Sequence, residues 1–191
     1  MKPKLYLIIT NISKSNNIKS LLLAAAAYGA DTVFVAGQRK FRFEVENDDD
    51  DDDDDTEGGS SSNNNNTDVP RPLHPLLRNG SLQIVRFDCL EDCITHIRST
   101  SLANKTNKPI RIMGVEIVED AQDLDTEPFS GDTAIMMGNE GSGMNQKQMD
   151  ACDGFIRIAQ YGGGTASLNV NVAANLVMHR FHIWSRSRSL C

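Results

Sequence analysis

The chain has 191 residues, enough for one domain with a core of useful size, and no apolar run approaches the ~20 residues that a membrane-spanning helix needs. Its formal charge of −7 argues against a nucleic-acid partner only until the charge is located, because residues 44 to 68 hold 12 of the 26 acids and no Lys or Arg. The rest of the chain keeps 14 acids against 19 bases, a mildly basic body that suits an RNA substrate.

In chain order, Leu5-Tyr6-Leu7-Ile8-Ile9 is too short for the apolar core of a signal peptide and runs into Thr10-Asn11. It predicts a first strand over Leu5 to Thr10 and an intracellular, cytoplasmic protein. Ser15, Asn16 and Asn17 offer N-cap side chains for a helix from about Ile18 to Tyr28, which ends at Gly29. A second strand is expected over Thr32 to Ala36. The unbroken run Asp48 to Asp55, then Gly58-Gly59-Ser60-Ser61-Ser62 and Asn63 to Asn66, has almost no apolar surface to bury and repels itself. A disordered acidic and Asn-rich insertion at about 44–68 follows, interrupting one domain of residues 1–191 without dividing it. The run lacks the ligand spacing of an EF-hand loop.

Beyond it the pattern predicts a strand at Leu82 to Phe87, a helix near Leu90 to Ser101, and strands at Ile110 to Val115 and Thr133 to Met137. A helix near Asn145 to Ala151, a strand at Phe155 to Ile158 and a long helix from about Ser167 complete it. Strands alternating with helices make an α/β protein with a mostly parallel sheet covered on both faces. Cys89, Cys93, Cys152 and Cys191 form no Cys-x-x-Cys pair and read as free thiols. His74, His96, His179 and His182 are scattered, so no metal site is expected.

The chemistry concentrates in the last third. Ala134-Ile135-Met136-Met137 runs into Gly138-Asn139-Glu140-Gly141-Ser142-Gly143-Met144, and Phe155-Ile156-Arg157-Ile158 leads to Gly162-Gly163-Gly164 and then Ser167-Leu168-Asn169-Val170. Apolar strands that open into glycines point to a crevice at the C-terminal ends of parallel strands, where backbone groups approach a ligand. Residues 138 to 143 fit neither the Gly-Lys-Ser/Thr phosphate loop nor the Gly-x-Gly-x-x-Gly dinucleotide turn. Ser167 at a helix start favours an anionic or polar ligand. Leu168, Val172, Ala173, Leu176 and Val177 read as the core-facing side of that helix.

On these blocks the chain resembles the SpoU branch of the SPOUT superfamily, RNA methyltransferases that use S-adenosylmethionine. The likeness rests on Asn11 to Gly29, Met137 to Met144 and Ile158 to Ala173. It implies a Rossmann-like sheet whose C-terminal part forms a deep trefoil knot. It also implies a homodimer, and methyl transfer to a ribose 2′-oxygen of structured RNA, tRNA or rRNA, with no metal and no membrane. Carried over, Gly138, Ile158 and Leu168 match backbone contacts to the cofactor, and Gly114 and Val115 match the loop that meets the adenosine. Asn17, Glu140, Ser167 and Asn169 match the polar positions that order the active site and hold the target nucleotide. Each has a plain structural counterpart: Asn17 or Ser167 as helix caps, Glu140 as a loop brace.

One position departs from that pattern. Leu23 stands where the family carries an arginine thought to activate the ribose hydroxyl, and a positioned base or cation contributes about 10²–10⁴-fold. Lys19, one turn away, is a candidate substitute. A binding or assembly protein of the same fold without turnover is the second reading. The tail residues Arg180, His182, Trp184, Arg186 and Arg188 offer phosphate contacts and a stacking ring, or else a solvated helix end.

Overall fold

The structure, a computed structural model, describes residues 2–45, 67–103, 109–162 and 167–188. The expected acidic insertion falls mostly on 46–66, outside the described residues. Among the described residues seven strands form one sheet: β1 (Leu5–Thr10), β2 (Thr32–Ala36), β3 (Gln83–Phe87), β4 (Arg111–Val115), β5 (Gln122–Asp123), β6 (Thr133–Met137) and β7 (Gly154–Arg157). Their order across the sheet is β3-β2-β1-β6-β4-β7-β5, and every pairing is parallel. The α-helices among the described residues are α1 (Ser15–Ala27), α2 (His74–Arg78), α3 (Leu90–Ala103), α4 (Gln146–Ala151) and α5 (Val170–Ser187).

Strand periodicity splits the core in two. Leu5, Leu7 and Ile9 of β1, with Val33, Val35, Ile135 and Met137, point to one face, where Leu21, Leu22, Ala174, Val177 and Phe181 of α1 and α5 meet them. Tyr6 and Ile8, with Phe34, Ala134 and Met136, point to the other, against Cys93 and Ile97 of α3 and Met149 of α4. Central strands buried on both faces explain the unbroken apolar runs of β1, β2 and β6. Among the described residues no helix is long and apolar enough to cross a membrane.

Four elements differ from expectation: α1, α5, α2 and β5. Helix α1 starts at Ser15 with Lys14 as a cap that makes no side-chain hydrogen bond, so Asn17 lies within the first turn, not at its edge. Helix α5 starts at Val170, because the Asn169 side chain accepts from the N–H of Asn171 and serves as its cap in place of Ser167. Val172 and Leu176 are exposed; α5 buries Val170, Ala173, Ala174, Val177, Met178, Phe181 and Trp184 instead. Helix α2, preceded by a 3-10 turn over Arg71–Leu73, and the two-residue β5 carry too little periodicity to be read in sequence. Trp184 is buried against Phe129 and Phe181, ring centroids 5.6 and 5.5 Å away, so it is core and offers no stacking surface.

Candidate active site

The chain builds β1, β2 and β3 outward in one direction, then crosses to β4 and returns to insert β6 between β1 and β4. Strand order therefore reverses around β6, and open parallel sheets bind ligands beyond the C-terminal ends of their strands at such a point. A cleft of about 580 Å³ opens there, bounded by residues that follow β4, β6 and β7 and by the start of α5. Its size falls in the range of small-molecule sites, roughly 300–1,000 Å³.

Of the residues singled out in sequence, Val115, Gly138, Glu140, Ile158, Ser167 and Leu168 line this cleft. Gly114 does not. It lies one residue back in the strand, where an added Cβ would sit 2.9 Å from Cys152 Sγ, Met144 Sδ and Phe155 Cδ1, so its glycine serves core packing. Asn17 and Asn169 also stand outside the lining: Asn17 acts on Glu140 and Asn169 caps α5. Part of the second glycine loop, 163–166, lies outside the described residues.

The first glycine loop is shaped by two side chains. Asn139 donates its amide to Asn11 O (2.8 Å) and Ser13 Oγ (2.7 Å), while its Oδ1 accepts from the N–H of Gly141 (2.9 Å) and Ser142 (3.3 Å). Glu116, just beyond β4, closes the other side by accepting the Met144 N–H at 2.8 Å. A Cβ on Gly138 would lie 2.9 Å from the Gly143 carbonyl carbon and Met144 N, and 3.2 Å from Glu116 Oε2. Glycine is needed at 138 because the loop folds back onto its own strand, which leaves the backbone bare to the cleft. Glu116 escaped the sequence reading because no glycine or motif marks it.

Glu140 is held from three sides. Its carboxylate accepts the Asn17 amide at 2.6 Å and the N–H groups of Ser13 (3.2 Å) and Lys14 (3.3 Å) at the start of α1. Asn17 Oδ1 in turn accepts the Asn171 amide at 2.8 Å, and Asn175 donates to the Asn171 carbonyl at 2.7 Å. With the amide orientations that this network sets, Asn171 Oδ1 is buried and has no hydrogen-bond partner among the described residues. Burial is the largest influence on Glu140 and pushes its carboxyl up. The bonds from Asn17, its own N–H, Ser13 and Lys14 together outweigh it and hold the group below the usual carboxylate range. Such a carboxylate is a weak base and a strong brace.

Leu23 lies on the exposed side of α1 and is absent from the cleft lining. Lys19 is also absent from it, and its charge acts on Asp68. Among the described residues no group of three His, Cys, Asp or Glu side chains is placed to hold a metal ion.

A sequence model of the SpoU rRNA methylase family matches residues 81–179. The chain is 35% identical over 86 residues to the 23S rRNA (guanosine-2′-O-)-methyltransferase RlmB of Vibrio vulnificus, covering 43% of this chain and 34% of that protein. It is 33% identical over 91 residues to the RlmB of Ralstonia nicotianae, 46% of this chain and 36% of that one. The chain thus spans about a third of the length of these relatives. In three dimensions it is similar to the SpoU methyltransferase AviRb from Streptomyces viridochromogenes, with a TM-score of 0.70 at 20% identity over 98% of this chain and 62% of that one. AviRb in complex with the cofactor AdoMet gives 0.64 at 22% identity over 99% and 59%. At those identities the likeness to the solved structures is one of fold.

Proposed function

The chain belongs to the SpoU rRNA methylase family, and from that premise we propose that it moves the methyl group of S-adenosylmethionine to a ribose 2′-oxygen of structured RNA. The observation that carries the reading is the cleft at the strand-order reversal, floored by Gly138, Ile158 and Leu168 and closed by a glutamate-braced loop. The bare backbone at Gly138 and the cleft's volume fit an adenosine-sized ligand bound largely by main-chain groups. When bound, S-adenosylmethionine supplies an electrophilic methyl on a good leaving group. Transfer would exchange that sulfur–carbon bond for an oxygen–carbon bond to the ribose, with the hydroxyl proton leaving to bulk solvent outside the cleft. The hydroxyl of Ser167, in the cleft lining, stands ready to orient the nucleotide. Catalysis rests on alignment and exclusion of water, since Glu140 is too weak a base to take the proton and Leu23 has none to offer. The knotted C-terminal segment that the resemblance implies belongs to this proposal.

The working form in this reading is a pair of chains. Val172, Leu176 and Ile183 form an exposed apolar stripe along α5, each between 42 and 49% exposed. Helix α1 runs beside α5, tied at Asn17–Asn171 and Tyr28–His179, which sets Leu23 level with that stripe. Contiguous apolar surface of this kind marks a contact between proteins. Leu23 then supplies interface where an arginine would supply charge. Leu176→Glu is expected to turn a dimer into monomer by sedimentation at micromolar concentration; a wild-type chain that sediments as monomer overturns the pairing.

The decisive experiment is calorimetric titration with S-adenosylmethionine, followed by tritiated methyl transfer to total RNA and nucleoside digestion. The expected result is binding, with label recovered in 2′-O-methylated nucleosides. Binding without transfer overturns the catalytic reading and leaves the binding protein; no binding overturns the assignment of the cleft.

A further inference from the structure

The loop that follows β2 is unlike the rest of the surface. Gln38-Arg39-Lys40-Phe41-Arg42-Phe43 buries both phenylalanines, their ring centroids 4.5 Å apart, and leaves Arg39, Lys40 and Arg42 exposed. The paired rings anchor the loop, so its cations are held outward on a fixed base. Arg42 bonds to Asp68, and the charge of Lys19 on α1 also acts on the Asp68 carboxylate. Arg39, Lys40 and Lys14 have no ion-pair partner among the described residues. Arg39, Lys40, Arg42 and Lys14 thus gather at one corner of the sheet, where Asp68 engages Arg42 and Glu140 accepts the Lys14 N–H.

That corner is joined to the cleft. With its amide turned so that the oxygen meets donors, the Gln38 side chain accepts from the N–H of Ile12 (2.7 Å) and Asn11 (3.0 Å) and donates to Ile12 O (3.2 Å). The next residues, Ser13 and Lys14, hold Glu140, and Asn139 holds Asn11. The loops after β2, β1 and β6 are therefore stitched side by side along the C-terminal edge. Neighbouring strands lie ~4.8 Å apart, so the basic loop sits roughly 10 Å from the Gly138 loop.

We propose that the loop Gln38–Phe43, with Lys14, is the phosphate track that carries the RNA backbone to the cleft. The proposal rests on the RNA methyltransferase reading above. Cations on a stiff loop give register and affinity without reading bases, because each neutralised phosphate releases a counterion. Arg39 and Lys40 carry most of this, since Arg42 is already engaged by Asp68.

The test compares the full wild-type chain with the Arg39→Ala/Lys40→Ala variant, using transcribed 23S rRNA in filter binding across a salt series. The variant is expected to bind about tenfold more weakly near 0.1 M salt. Its slope of log affinity against log salt should be shallower by about 1.4–1.8, the share of two phosphate contacts. Calorimetric binding of S-adenosylmethionine should be unchanged, and Lys40→Arg should keep wild-type affinity. Equal affinity and slope in wild type and double variant overturn the track while leaving the methyltransferase reading intact. A wild-type chain that binds no RNA at low salt overturns both.

Discussion

At the scale of single residues, Glu140 shows how little of its role is visible in isolation. The sequence offers a carboxylate in a glycine loop, matched to a polar active-site position or else a loop brace; the structure surrounds it with three donors that come from α1 and the residues before it. Glu140→Gln keeps the shape and removes the charge, turning charge-assisted bonds into neutral ones, and should lower unfolding free energy by ~1 kcal/mol at pH 7. The pH dependence follows from the sign of the shift. The folded carboxyl titrates below the unfolded one, so its contribution is fully present above the ordinary glutamate range and fades as pH falls through the folded value. Denaturant melts should therefore separate wild type from variant at pH 7 and bring them together in acid, below the folded value. A gap that persists at acid pH means that packing, not charge, sets the difference. Glu116 and Asn171 went unread for a related reason: their meaning comes from Met144 and Asn17, far away in sequence.

At the scale of elements, the central strands were legible because burial on both faces forces continuous apolar runs, as in β1, β2 and β6. Helix boundaries were not, since they depend on which polar side chain turns back onto the backbone: Asn169 does, Ser167 does not. Helix α5 was misread on one side only. A helix with apolar residues on two faces gives no sequence clue to which face the sheet takes. Besides its apolar packing, α3 is tied to β4 through Asp153, which accepts both guanidinium nitrogens of Arg98 (2.9 and 2.6 Å) and the N–H of Ile112 in β4 (2.7 Å). Burial pushes this carboxyl up, but Arg98 and the Ile112 N–H together pull it below its usual range. Asp153→Ala strands the Ile112 N–H and should cost about 1–2 kcal/mol in urea unfolding, reduced by partial exposure of the pair, with an unchanged m value. A changed m value would place its effect in the unfolded chain instead.

For the whole molecule, the acidic stretch enters and leaves the fold at one point. The Asp68 N–H donates to Arg42 O at 2.8 Å, and the Thr67 hydroxyl donates to the same oxygen at 3.2 Å. The two flanks are thus already paired without whatever lies between them. Replacing residues 46–66 with a short Gly-Ser linker should leave the melting temperature within a few degrees, because shortening a closed loop changes its entropy only logarithmically. Collapse of the thermal transition on that replacement would show that the fold leans on the stretch.

The amide chain Glu140–Asn17–Asn171 joins positions 123 and 154 residues apart in sequence. Such distant pairings form late, after local structure and after the ends of the chain have met. During synthesis, β1 and α1 leave the ribosome long before α5 exists to dock on them. A nascent chain stopped short of α5 therefore carries the glycine loop but lacks the wall and the bracing that make it a pocket. The cleft is complete only once α5 has docked, because Val170 and Ala173 form part of its lining.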